Sequence, residues 1–201
     1  MECKKGMEME IRILQKEEIN IASGLSRYVF DFCLRNRMEF PQTIEYVEDY
    51  IAASNLMLLV EENKLVLWGA FESNQMVAVS GLQLDGMITM LYVLPQCQNK
   101  GYGSRLLKTM CEYAKKTCGF DKVILNANPA WTSGYFGKMG FVSTNSVQDM
   151  HVPFVPMYAK SSDISGFEKK RVSKKVITFA IIASVLLATI AGAAYMIWYI
   201  L

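Results

Sequence analysis

The chain has 201 residues, a net charge of +2 and one histidine, His151. So small a charge, much of it gathered near the carboxyl end, excludes the dense basic face of a nucleic-acid-binding protein. Cys3, Cys33, Cys97, Cys111 and Cys118 form no Cys-x-x-Cys pair, which argues against a zinc cluster or a disulfide framework, and no metal is expected.

Met1–Glu10 is charged and lacks the apolar stretch of a signal peptide, so a cytoplasmic domain with reduced thiols is expected. Glu10–Leu14 predicts a short first strand. From Glu17 to Leu34 the apolar residues Ile21, Leu25, Val29 and Phe32 recur at helical spacing, and a second helix follows over Thr43–Ala53 after the polar link Arg35–Pro41. Three strands come next, Val66–Glu72, Met76–Leu82 and Met87–Val93, joined by Ser73-Asn74-Gln75 and Leu84-Asp85-Gly86. Asp85-Gly86 suits a type I′ hairpin turn. Trp68 and Met76–Val79 read as core.

After Pro95 the period returns to that of a helix. Leu106, Leu107, Met110, Cys111 and Ala114 define one apolar face, and Glu112 and Lys116 face each other four residues apart on the other. Gly119 is placed to end this helix. Val123–Asn126 predicts a buried strand, Thr132–Met139 a short helix, Gly140-Phe141 the start of another strand, and Val152–Ala159 the last one. His151, among prolines, reads as a structural histidine. The order describes an α+β domain over residues 1–160, with a hairpin meander and one strand–helix–strand crossover.

Residues 161–175 form a basic juxtamembrane linker containing Lys169, Lys170, Arg171, Lys174 and Lys175. Val176–Leu201 follows, about 26 residues without a charged side chain, long enough at ~1.5 Å per residue to cross a bilayer core of ~30 Å. Tyr195, Trp198 and Tyr199 suit an aromatic belt, and the basic flank suits a cytoplasmic side. A single-pass membrane protein with a cytoplasmic amino-terminal domain is expected. Ala180, Ser184, Ala188 and Gly192, four apart, form a ridge of small side chains through which such a helix would self-associate or dock on another membrane helix.

The chemical signal lies in Gln98-Asn99-Lys100-Gly101-Tyr102-Gly103-Ser104, between a strand and a helix. Glycines allow close backbone approach, and the unpartnered N–H groups of a helix start attract an anion such as a pyrophosphate. Lys100 adds a mobile positive charge. Taken alone, the pattern fits a tight turn as well as a ligand loop. It is neither a Walker A loop nor a dinucleotide fingerprint.

The loop, the strand before it, the long helix, the strand Lys122–Asn126 and the run Tyr135-Phe136-Gly137-Lys138-Met139-Gly140-Phe141 occur in the order and spacing of a known family. Residues 10–160 resemble the GNAT superfamily of N-acetyltransferases. The resemblance implies a mixed, mainly antiparallel sheet, splayed and flanked by helices, with acetyl-coenzyme A as co-substrate in the V between two strands. It implies that the loop from Gln98 to Ser104 binds the pyrophosphate, that Leu91, Tyr92 and Val93 bind the pantetheine arm, and that Asn126 lies near the thioester.

One departure matters. The family's tyrosine that protonates the departing thiolate falls at Phe136, and the tyrosine here is Tyr135. Either Tyr135 serves as general acid or no side chain does. Glu72 is a candidate base acting through water, or else a solvated strand-end carboxylate, and Cys97 is an oxidisable regulator or an inert filler. The expected activity is transfer of an acetyl group to an amine by direct attack, at a membrane. The alternative is a non-catalytic acyl-coenzyme A sensor or interaction module there. The acceptor amine is not identified; its pocket is expected from Phe30 to Tyr46, where Arg35, Arg37 and Glu39 offer charge.

Overall fold

The computed structural model describes residues 9–38, 40–144 and 154–164. The expected membrane span 176–201, its small-residue ridge, Lys169 to Lys175, His151, Cys3 and Glu39 lie outside the described residues. Among the described residues no helix is long and apolar enough to cross a membrane.

Glu10–Ile13 (β1) lies antiparallel along Leu65–Glu72 (β2). A single helical turn leads into Ile19–Cys33 (α1), which buries Ile19, Ala22, Leu25, Ser26, Val29 and Phe30. This corrects the expected face: Leu25 and Val29 are inside, but Ile21 and Phe32 are 59% and 68% exposed. The buried face is centred on Ala22, Ser26 and Val29 instead, and the Ser26 hydroxyl is satisfied there by donating to the Ala22 carbonyl at 2.8 Å. Pro41–Ile51 (α2) starts on a proline, whose missing N–H costs nothing in the first turn. It stops at Ala52, whose ψ of 138° is extended, and a further helix, Ala53–Glu61 (α3), follows. That helix was not legible from its short apolar run.

Gln75–Gln83 (β3) continues the meander from β2. Ser73 and Asn74 between them both have positive φ, as a type I′ turn requires. The next turn, expected to be type I′ at Asp85-Gly86, is not: only Gly86 has positive φ. The Asp85 carboxylate instead accepts from the Met87 N–H at 3.0 Å, which holds Asp85 in an Asx turn.

Met87–Val93 (β4) pairs antiparallel with β3, then Tyr102–Lys116 (α4) crosses over to Lys122–Ala127 (β5), which runs parallel to β4. Ser133–Lys138 (α5), Val142–Ser143 (β6) and Val155–Lys160 (β7) complete the seven-stranded sheet, ordered β1-β2-β3-β4-β5-β7-β6. The Glu112–Lys116 pair forms, at 3.5 Å. Gly119, with φ of +75°, lets the Phe120 N–H return to the Ala114 carbonyl at 2.9 Å and closes α4. Packing continues past residue 160: Ser161 and Ile164 are buried, and the Ser161 hydroxyl donates to the Phe120 carbonyl.

The sheet has a core on each face. Leu106, Leu107, Met110, Cys111 and Ala114 of α4 pack with Trp68, Leu82, Leu125 and Phe141 on one side. On the other, α1, α2 and α3 pack on Leu65, Leu67, Val79 and Met90. Between the faces lies a gap. In the β3–β4 ladder Gly81 opposes Met90 and Leu82 opposes Ile88, so Thr89 is an extra residue. Such a bulge bends its strand and adds twist. Accordingly β4 and β5 pair at Met87↔Ile124 and Ile88↔Leu125 and then diverge.

Candidate active site

The V between β4 and β5 opens toward the loop 98–104. Asn99 and Gly101 have φ of 60° and 95°, and Gly101 immediately precedes the first turn of α4. The Ser104 hydroxyl donates back to the Gly101 carbonyl at 2.9 Å, which fixes this turn with the first N–H groups of the helix directed outward. Lys100 is exposed, whereas the Tyr102 ring is buried, so Tyr102 offers the site its backbone and not its phenol. The Gln98 side chain donates to the Val93 carbonyl at 3.1 Å and touches Cys33 Sγ at 3.6 Å, tying the loop to the end of β4 and to α1. Cys97 is buried in the core.

The Leu94 N–H reaches the Val77 carbonyl of β3 at 3.0 Å. Strand alternation then turns the Tyr92 backbone toward β3 and those of Leu91 and Val93 toward the V. Of the expected trio, two therefore present peptide groups to the opening. Asn126 is the first β5 residue beyond the last β4 pairing and is exposed, opposite in facing to the buried Leu125 and Ala127.

The pair Tyr135-Phe136 divides between surface and core. The Phe136 ring meets Phe141 edge-on at 5.9 Å and packs on the α4-side core. Tyr135 points the other way: its hydroxyl stands 2.6 Å from where a Cβ on Gly103 would lie, next to Val93. Although the residue is 44% exposed, desolvation of its hydroxyl end raises the phenol above the usual range, and it is a hydrogen-bond donor at neutral pH. This sets the hydroxyl against the loop near Gly103 and Val93, and Val93 lies four residues along β4 from Thr89.

Glu72 is not brought to the V. It closes the β2–β3 hairpin opposite Gln75, two strands away from β4. Arg35 is also committed elsewhere, bonded to Asp31 at 2.8 Å and to Glu48. Arg37 lies over the Trp131 ring at 5.4 Å, a contact between the α1–α2 link and the loop after β5. Trp131 and Thr89 escaped the sequence reading, because a bulge and a contact between distant segments leave no local pattern. Among the described residues no group of three His, Cys, Asp or Glu side chains is placed to hold a metal ion.

The profile described as Acetyltransferase (GNAT) domain matches residues 38–161. The chain belongs to this family and is an N-acetyltransferase. Solved structures share the fold. PaiA N-acetyltransferase from Thermoplasma acidophilum, in complex with coenzyme A, has a TM-score of 0.63 at 18% identity, over 77% of this chain and 99% of that one. A GCN5-related N-acetyltransferase from Rhodopseudomonas palustris gives 0.64 at 15%, over 78% and 99%. A mutant of the Vibrio cholerae spermidine N-acetyltransferase SpeG gives 0.56 at 16%, over 78% and 96%. No curated protein sequence matches.

Proposed function

We propose that this protein transfers the acetyl group of acetyl-coenzyme A to an amine by direct attack, at a membrane to which residues 176–201 anchor it. The observation that carries the catalytic reading is the opening of β4 from β5 at Thr89, with the α4 start and its positive-φ loop at the mouth. The residues present fit the co-substrate. The outward N–H groups of α4 and Lys100 suit a diphosphate, and the V-facing peptide groups of Leu91 and Val93 suit the amides of a pantetheine arm. Bound there, acetyl-coenzyme A would supply an acetyl group activated as a thioester: the lone pair of the neutral amine forms the C–N bond, the C–S pair leaves on the coenzyme A sulfur, and the proton shed by the nitrogen passes through solvent to that thiolate.

The chain's own part is positioning. α4 and its loop fix one end, β4 guides the arm toward Thr89, and the gap in the sheet exposes that point to the opposite face, where an amine arrives. Holding two reactants in line is itself a large share of catalysis. Tyr135, beside Gly103, grips the cofactor at the loop end in this reading. The general-acid role expected for it would need the thiolate to lie at that end. The membrane reading is supported by the uncharged length of 176–201 and the basic residues before it.

Free-thiol release from acetyl-coenzyme A, followed over a panel of primary amines with the full chain, tests this. Amine-dependent release is expected. Binding of acetyl-coenzyme A with no release over any amine would instead identify a sensor. In the same preparation, alkaline carbonate should leave the chain in the membrane pellet; its release to the supernatant would remove the tether.

A further inference from the structure

Among the described residues two side-chain oxygens are buried without a hydrogen-bond partner, Ser80 Oγ and Thr89 Oγ1. A buried hydroxyl left unpaired is costly, so each calls for a reason. Ser80 is wholly buried within the sheet, between Trp68 of β2 and Leu91 of β4. Thr89 stands at the gap. It is the extra residue of the bulge, and the first on β4 beyond the last pairing with β5, as Asn126 is on β5. The unpaired hydroxyl therefore belongs to the residue at which the V begins.

Two neighbours set its polarity. The Tyr50 phenol of α2 lies beside Thr89, and its oxygen accepts from Gln83 Nε2 at 3.4 Å. An amide N–H can only donate, so the phenol proton is free for the Thr89 oxygen. Burial keeps Tyr50 protonated, its pKa raised above the usual range. A threonine oxygen that accepts from Tyr50 still has its own proton to give, and bonds linked in such a chain strengthen one another.

We infer that Thr89 is a catalytic residue: its hydroxyl turns into the V, accepts from Tyr50 and donates to the thioester carbonyl oxygen. Tyr50 and Gln83 are positioning residues that act through it. Thr89 as a residue is only partly buried, so rotation about its side-chain bond is enough to bring the hydroxyl out. As the amine nitrogen bonds to the carbonyl carbon, the C=O π pair moves onto oxygen and the Thr89 hydrogen bond tightens. The pair returns as the C–S bond breaks, and the Thr89 proton stays on Oγ1 throughout. A donor aimed where charge develops, in a site closed to water, is worth more than the same bond in solvent. The inference rests on the proposed acetyl transfer through the V and adds to it a side chain for the carbonyl.

Isotope-edited infrared spectroscopy reads this bond directly, with acetyl-coenzyme A carrying a heavy-carbon label in its carbonyl. Bound to the full chain, the carbonyl stretch should lie lower than in Thr89→Val, and Thr89→Ser should restore the lower position. Thr89→Val should keep its affinity for coenzyme A, which lacks the acetyl group, and lose about 10²–10³-fold in kcat. Tyr50→Phe should raise the stretch part of the way and lower kcat about 2–12-fold, with no further loss in the Thr89→Val background. A stretch that Thr89→Val leaves in place, or amine acetylation that it leaves at the wild-type kcat, would overturn the role. Should Thr89→Val lose coenzyme A, Tyr50→Phe reads the same bond, and a stretch unmoved there would overturn the role as well. A lowered stretch with no acetyl passed to any amine would refute the acetyl-transfer reading and leave Thr89 a binding group only.

Discussion

Tyr135 occupies the space that a side chain at Gly103 would need, and its neighbour Phe136 fills a core position. A tyrosine one residue earlier in a short helix faces a different quarter of it, which is why the hydroxyl meets the loop and not the floor of the V. The consequence is kinetic. Tyr135→Phe is expected to raise the KM for acetyl-coenzyme A about 2–12-fold, the worth of one hydrogen bond, with kcat at saturating cofactor unchanged. Steady-state kinetics of the purified variant measure both terms. A fall in kcat of about 10²-fold or more would restore the general-acid role.

At the scale of elements, the amino-terminal strand and α1 are joined by a two-pronged ion pair. Both Arg12 guanidinium nitrogens, Nη1 and Nη2, donate to Glu18 at 2.7 Å, and the Gln15 N–H adds a third bond to the same carboxylate at 2.9 Å. The bond from Arg12 is the main cause, and that from Gln15 the next, of a Glu18 pKa lowered to about 2 from an ordinary 4.5. Because the folded value is depressed, the stabilisation is fully present above pH ~4.5 and fades as pH falls toward 2. The pair is partly exposed, so the stabilisation is of the order of 1 kcal/mol. Chemical denaturation of Glu18→Gln should show a loss of about that size at pH 7, and the gap to the wild type should close by pH ~2. A gap that does not change with pH would assign the loss to packing instead.

In the whole molecule, the site exists because one sheet is covered on both faces and interrupted between β4 and β5. Much of this was legible in the sequence. The α4 face was read residue for residue, since Leu106, Leu107, Met110, Cys111 and Ala114 repeat at helical spacing on one side only. The hairpin meander was read from its alternation, and the loop from its glycines. What escaped has physical reasons. The α1 face was misplaced because Ser26 buries a satisfied hydroxyl where an apolar residue was sought. The α2–α3 break depends on one extended residue, Ala52, and the bulge at Thr89 on the partner strand's register. The contact of Tyr50 in α2 with Gln83 of β3, at 3.4 Å, is a meeting that no local spacing encodes.

The central claim is that acetyl-coenzyme A lies along the V, from the start of α4 to Thr89. Amide hydrogen exchange, recorded residue by residue with and without acetyl-coenzyme A, tests it most directly, because the proposed ligands are largely backbone N–H groups. Acetyl-coenzyme A should slow exchange at Leu91, Val93 and residues 99–104, and leave the exposed outer face of α1 unchanged. Saturating acetyl-coenzyme A that protects neither the β4 edge nor the loop, or protects some other surface instead, would contradict it.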